Sequence, residues 1–137
     1  MKMLSIPVEQ SETLDLSGPC AVGVVSLSGD LEGVIQLTLP IDVAERMATL
    51  FVGAAIDRDN PDFTDAIGEL VNIVGGGTKA ELSPKAASMS VPTVILGDPD
   101  DVSHEPSLTF ETIDFVSDCG TFRAQAALTS MSNNLAA

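Results

Sequence analysis

From Asp62 to Val74 the chain repeats its apolar residues with a helical period. With about 100° of rotation per residue and Asp65 set at zero, Asp65, Glu69, Asn72, Gly76 and Lys79 fall within about 40° of zero. Phe63, Ile67, Leu70, Val71 and Val74 gather around the opposite pole. An apolar stripe of that width has to be buried against another layer, so the segment predicts a helix with one core face. Its other face is a narrow strip of carboxylates, an amide and an ammonium. Gly68 and Gly75 stack on one flank, where they are expected to let a neighbouring helix approach. The run Gly75-Gly76-Gly77 is the weak point, because each helical Gly costs about 1 kcal/mol relative to Ala. A kink or fraying is expected there, with Pro84 as the outer limit.

The remaining chain reads mostly as strands. Leu4, Ile6 and Val8 alternate with Ser5 and Pro7, an edge-strand pattern, because Pro7 cannot donate to a ladder. Cys20–Leu27 and Gly33–Leu39 are β-type runs around the turn residues Ser28-Gly29-Asp30 and predict a hairpin. Pro40 ends it, and Asp42 is expected to cap a helix running to about Phe51, with Gly53 as the stop. Met89–Leu96 is strand-like with Pro92 near its start, and Gly97–Pro106 carries loop chemistry. Leu108–Val116 and Thr121–Thr129 pair as a closing hairpin. The expectation is an α+β fold: an antiparallel-rich mixed β-sheet covered on one face by two main helices. At 137 residues and 45% hydrophobic content, one domain over residues 1–137 is expected, with 1–19 and 131–137 peripheral.

Charge and composition remove several function classes. Six basic residues stand against 20 acidic ones, for a net charge of −14. Lys2, Arg46, Arg58, Lys79, Lys85 and Arg123 are scattered singly, so no patch suits a phosphate backbone and nucleic acid is not an expected partner. No apolar run approaches the roughly 18 residues of a membrane span, and the start breaks off too soon for a signal-peptide core. Membrane association is therefore not expected, and a cytoplasmic location is. Cys20 and Cys119 stand far apart without a C-x-x-C, which predicts two buried free thiols. His104 is the only histidine and lies in a loop-like stretch, so histidine-based triads are not expected. No metal-ligand cluster is apparent. The chemistry left is that of carboxylates, amides and backbone.

Two constellations compete for the helical segment. In a dinucleotide-binding reading, Glu69–Val74 is a strand and Gly75-x-Gly77-x-x-Ala80 the phosphate turn, with Asp98 as the ribose acid. That reading places Glu69 and Asn72 on a doubly buried strand and Pro84 inside the crossover helix, whereas one helical period accounts for residues 62–74. Lys79 follows Thr78 rather than a Gly, so no Walker sequence is present. The other constellation is Asp65-x-x-x-Glu69-x-x-Asn72. By chance alone about 0.2 Glu-x-x-Asn pairs are expected in such a composition, so spacing by itself favours a plain solvated face. Chemically, a carboxylate and an amide one turn apart can hold a partner's ammonium and orient a water, but an amide is neither nucleophile nor base.

The segment Asp65-Ala-Ile-Gly-Glu69-Leu-Val-Asn72-Ile-Val-Gly-Gly-Gly-Thr-Lys-Ala-Glu-Leu resembles the signature helix of the CheC/CheX/FliY family of chemotaxis phosphatases. Ser28-Gly-Asp-Leu-Glu-Gly-Val-Ile-Gln-Leu-Thr-Leu-Pro40 resembles the family's early hairpin, and Ser90-Val-Pro-Thr-Val-Ile-Leu-Gly97 the strand after the signature helix. The resemblance spans roughly residues 20 to 97. It implies a protein that dephosphorylates response-regulator receiver domains such as phospho-CheY. Glu69 would engage the receiver's lysine, and Asn72 would position the water that attacks the aspartyl phosphate. Mg²⁺ would come with the receiver, so no cofactor is expected in this chain. Asp65 and Pro92 match the signature's leading acid and trailing proline and are expected to flank the contact surface. Glu69 begins the only Glu-x-x-Asn in the chain, which is similar to CheX rather than the two-site CheC, and the resemblance implies a homodimer. The alternative on the same fold is a non-catalytic receiver-binding or motor-switch scaffold. Receiver sites are themselves acidic, so a chain of −14 is steered toward them poorly at low salt. Lys79, on the same face as Asn72, is the one local positive charge expected to help. The long N-terminal helix usual in the family is missing or reduced to Met1–Pro19, the triple glycine is unusual, and Pro92 comes slightly early relative to the family's spacing.

Overall fold

The computed structural model describes residues 3–7, 16–29, 31–82, 87–99, 102 and 108–130. Seven strands form one sheet: β1 (Met3–Pro7), β2 (Cys20–Gly29), β3 (Leu31–Pro40), β4 (Ala87–Met89), β5 (Thr93–Gly97), β6 (Glu111–Ser117) and β7 (Gly120–Ser130). Two helices, α1 (Ile41–Val52) and α2 (Phe63–Leu82), lie between β3 and β4 in sequence. The strand order is β1-β6-β7-β3-β2-β4, with β5 also on β2, and every described pairing is antiparallel. The α+β architecture read from the sequence is present, with β1 on the edge that its proline requires. His104 and the tail from residue 131 lie outside the described residues.

Alternation fixes which side of the sheet is core. Ala21, Val25 and Leu27 of β2, Ile35, Leu37 and Leu39 of β3, and Phe122 of β7 pack in one cluster with Met47 of α1 and Phe63, Ile67, Leu70 and Val71 of α2. Both cysteines are buried and form no disulfide, as expected. The opposite face is also closed over its centre, where Val22 and Thr38 are buried. Leu16, Pro99, Val102 and Phe110 border a polar recess there, beside Gln36 and Gln125.

Asp42 does not cap α1. The helix starts directly after Pro40, and the Ile41 N–H donates to the Pro19 carbonyl at 3.1 Å, satisfying one of the helix's orphan donors without a side chain. Asp42 instead sits within the first turn, 3.3 Å from Arg46. At the other end Gly53 adopts φ 80° and donates to the Thr49 carbonyl at 2.9 Å, the left-handed stop expected of it.

The connection to α2 is tied back onto α1. Glu45 accepts hydrogen bonds from the Arg58 backbone N–H (2.9 Å), Nε (3.0 Å) and Nη2 (3.0 Å), and Asn60 Oδ1 accepts from the Asp62 N–H just before α2 begins. The side-chain bonds from Arg58, followed by its backbone N–H, hold the Glu45 carboxyl below the ordinary carboxylate range. A depressed carboxyl stabilises the fold above its unfolded pKa and loses that contribution as pH falls through the folded one. Glu45→Gln is therefore expected to lower the unfolding midpoint slightly at neutral pH and to flatten its decline between pH 6 and 3. Both side chains keep contact with water, so the effect is expected to be small. An unchanged acid limb in thermal melts would mean the pair does not fasten this connection.

α2 runs unbroken through Gly75-Gly76-Gly77, contrary to the expected kink. A Cβ on residue 75 would stand 2.9 Å from Met89 Sδ and 3.0 Å from Val25 Cγ2, so at Gly75 the helix lies directly against the sheet. The cost of a helical glycine is offset by packing that a larger residue would disturb. Gly68 and Gly75 thus admit strands rather than the helix expected from their spacing: Gly68 faces Pro92 and Val94, and Gly75 faces β4 and β2. Gly23 of β2 completes the contact, its missing side chain leaving room for Val71.

Candidate functional site: the recess between α2 and the β4–β5 break

The outer edge of β2 is shared end to end by β4 and β5. Leu27 pairs with Met89, and Gly23 pairs with Val94. Between these pairs β2 advances four residues and its partner five, so one residue is inserted. Such an insertion bends the strand and changes which side its residues face. Pro92, which has no N–H to offer, lies inside it. Ser90 holds the break together. Its N–H donates to the Ser26 carbonyl (2.9 Å), and its Oγ accepts the Ser26 N–H (2.9 Å) where a carbonyl would otherwise do so. The same hydroxyl donates to the Val91 carbonyl at 3.1 Å.

The break faces the polar strip of α2 across an open recess of 470 Å³. Thr64, Asp65, Gly68, Glu69 and Asn72 line one side, and Val91, Pro92 and Val94 the other. The helical period accounts for the first set, since the core face opposite is wholly buried at Phe63, Ile67, Leu70 and Val71. Proximity of the two walls follows from Gly68, where a Cβ would stand 3.2 Å from Pro92 Cγ. The structure therefore brings together four of the five residues singled out from the sequence: Asp65, Glu69, Asn72 and Pro92. Lys79 belongs to the α2 backbone, and its side chain lies outside the described residues.

Asp65 and Glu69 are exposed, and no described lining residue carries a positive charge, so the recess suits a cation. Asn72 is half-buried, and its Oδ1 is fully buried with no hydrogen-bond partner among the described residues. A buried acceptor left unmatched costs about 1–3 kcal/mol, and packing alone would place an apolar side chain there. Among the described residues no three His, Cys, Asp or Glu side chains gather as a metal site.

Sequence reasoning missed Val91, Val94, Thr64 and Ser90. One signal was present: the apolar residues change phase across Pro92, from Met89 and Val91 to Val94 and Leu96. The dinucleotide reading fails here, because residues 69–80 are helical and neither strand nor phosphate turn. A larger groove of 940 Å³ lies beside α1, but its Asp42 and Glu45 are already engaged by Arg46 and Arg58.

The family model described as chemotaxis phosphatase CheX matches residues 21–116, more than half of the chain and all of this recess. The chain belongs to the CheX family of chemotaxis phosphatases. No curated protein matches it. Among solved structures, this CheX-family chain is similar to a chemotaxis protein CheX from Desulfovibrio desulfuricans, at 25% identity and a TM-score of 0.74. That match covers 93% of this chain and 87% of that one. CheX from Vibrio vulnificus shares the fold at 22% identity and a TM-score of 0.69, covering 85% and 80% of the two chains. So does the CheX of a CheX–CheY–BeF₃–Mg²⁺ complex from Borrelia burgdorferi, at 20% identity and a TM-score of 0.65, covering 79% and 75%. No described helix is long and apolar enough to cross a membrane.

Proposed function

We propose that this chain hydrolyses the aspartyl phosphate of a CheY-type receiver domain, with Glu69 docking the receiver and Asn72 positioning the attacking water. The observation that carries this reading is the half-buried Asn72, its Oδ1 without a partner among the described residues, beside Glu69 in an anionic recess. Water adds to phosphorus, the bond from phosphorus to the aspartyl oxygen breaks, and the aspartate leaves as a carboxylate with inorganic phosphate as product. Phosphoryl transfer of this kind needs little covalent chemistry from the protein, and positioning plus charge neutralisation supply most of the rate. Mg²⁺ arrives with the receiver and offsets charge on the phosphoryl oxygens. What remains for this chain is to hold the partner's ammonium on Glu69 and to insert an amide, which aligns water without adding negative charge.

The test is the rate of aspartyl-phosphate loss from each CheY-type receiver of the source organism, with and without this chain. Acceleration of at least one supports the reading, and acceleration of none sinks it. Glu69→Ala is expected to raise KM about tenfold or more, since a charge-assisted contact contributes about 1.5–3 kcal/mol. Its effect on kcat should be smaller than that of Asn72→Ala. A Glu69→Ala enzyme with an unaltered KM would remove Glu69 from docking.

A further inference from the structure

Six large hydrophobic side chains are exposed among the described residues: Leu50, Val52, Ile73, Val91, Leu96 and Ile113. Only Val91 lines the recess, and at 86% it is the most exposed of them. It has not simply been left on a loose loop. The residue before it is fixed by three hydrogen bonds to Ser26 and to the Val91 carbonyl, and Pro92 after it packs on Gly68. A solvent-facing valine held by its neighbours beside two carboxylates and the Asn72 amide, whose Oδ1 is unmatched among the described residues, has the form of an anchor waiting for an apolar surface.

Electrostatics points the same way. A chain of −14 gains no long-range attraction toward an acidic receiver site, and the recess offers only a local contact for one ammonium. Affinity must then come from desolvated contact next to the acid–amide pair. Resting on the receiver-phosphatase reading, we propose that Val91 is the apolar docking residue for the receiver surface bordering its phosphorylated aspartate. Ser90 is the positioning residue that presents it. Ser90 Oγ replaces a ladder carbonyl at the inserted residue, which keeps Val91 turned outward while Val94, beyond the insertion, returns to the α2 side.

The experiment measures binding and turnover separately, using the CheY-type receivers of the source organism charged with beryllofluoride and Mg²⁺ for Kd and their phosphorylated forms for kcat and KM. Val91→Ser is expected to weaken Kd and raise KM about tenfold, the order lost when a valine is no longer buried, with kcat little changed. Val91→Ile is expected to bind like the parent. Ser90→Ala should raise KM with kcat retained, and Ser90→Thr, which keeps the hydroxyl, should restore it. Because residue 91 is exposed, its variants are expected to melt like the parent. A Val91→Ser Kd equal to the parent's overturns the proposal. If the parent binds a charged receiver but hydrolyses none, the phosphatase reading fails while the Kd ratio still decides Val91. If it binds none, both fall.

Discussion

Asn72→Ala is expected to lower phosphate release at saturating phospho-receiver by about 10²-fold while leaving KM close to the parent value. The loss falls on kcat because the amide is assigned to orienting water, and misplacing a reactant by about 1 Å costs on that order. Stability should move the other way from activity. Asn72 Oδ1 is buried without a partner among the described residues, so its removal relieves an unmatched acceptor and costs only a little packing. The unfolding midpoint of Asn72→Ala is accordingly expected to equal or exceed that of the parent. Single-turnover release and a thermal melt on the same preparation check both halves. Activity near the parent level would remove Asn72 from the chemistry. A sharply lowered midpoint would show that the side chain serves the fold instead.

Gly75→Leu is expected to destabilise the fold by about 1–3 kcal/mol, the usual cost of forcing extra carbons into a filled site. The first of those carbons already stands 2.9 Å from Met89 Sδ and 3.0 Å from Val25 Cγ2, so either these side chains are displaced or α2 lifts from β2 and β4. For a chain of this size that is a fall in Tm of about 4–12 °C. Two residues on, Gly77 is exposed and a Cβ there meets nothing within 4 Å. Gly77→Ala should therefore stabilise the helix by up to about 1 kcal/mol. Opposite signs at two members of one glycine run, read by denaturant titration, distinguish a packing requirement from a general helix penalty. Equal signs would contradict the close approach of α2 to the sheet.

Those three glycines mark where local reading stops. Helix propensity sees identical residues and predicts a weak point, whereas the helix continues because one of the three meets the sheet and the others do not. Asp42 follows the same logic: its type and place suited a cap, but Pro19, brought alongside by the fold, supplies the acceptor for the first helical N–H. Gly68 and Gly75 were legible as points of close approach, and what approaches them was not.

The sequence by itself determined α2, its buried pole, the strip carrying Asp65, Glu69 and Asn72, and the β2–β3 hairpin. Each of these is written in a period or a turn a few residues long, and the physics that selects it is equally local. Only the tertiary structure decided that this strip faces a recess, because the recess's second wall is made by residues distant in the chain. Ser26 and Ser90 are 64 positions apart, and the bond between them turns a strand-like run with a proline into a break that exposes Val91. An inserted residue has no meaning until its pairing partner is known, and an amide is unmatched only once everything around it has been packed. The pair that carries the proposed chemistry was therefore readable from spacing, while the surface that would bring a partner to it was set by contacts across the fold.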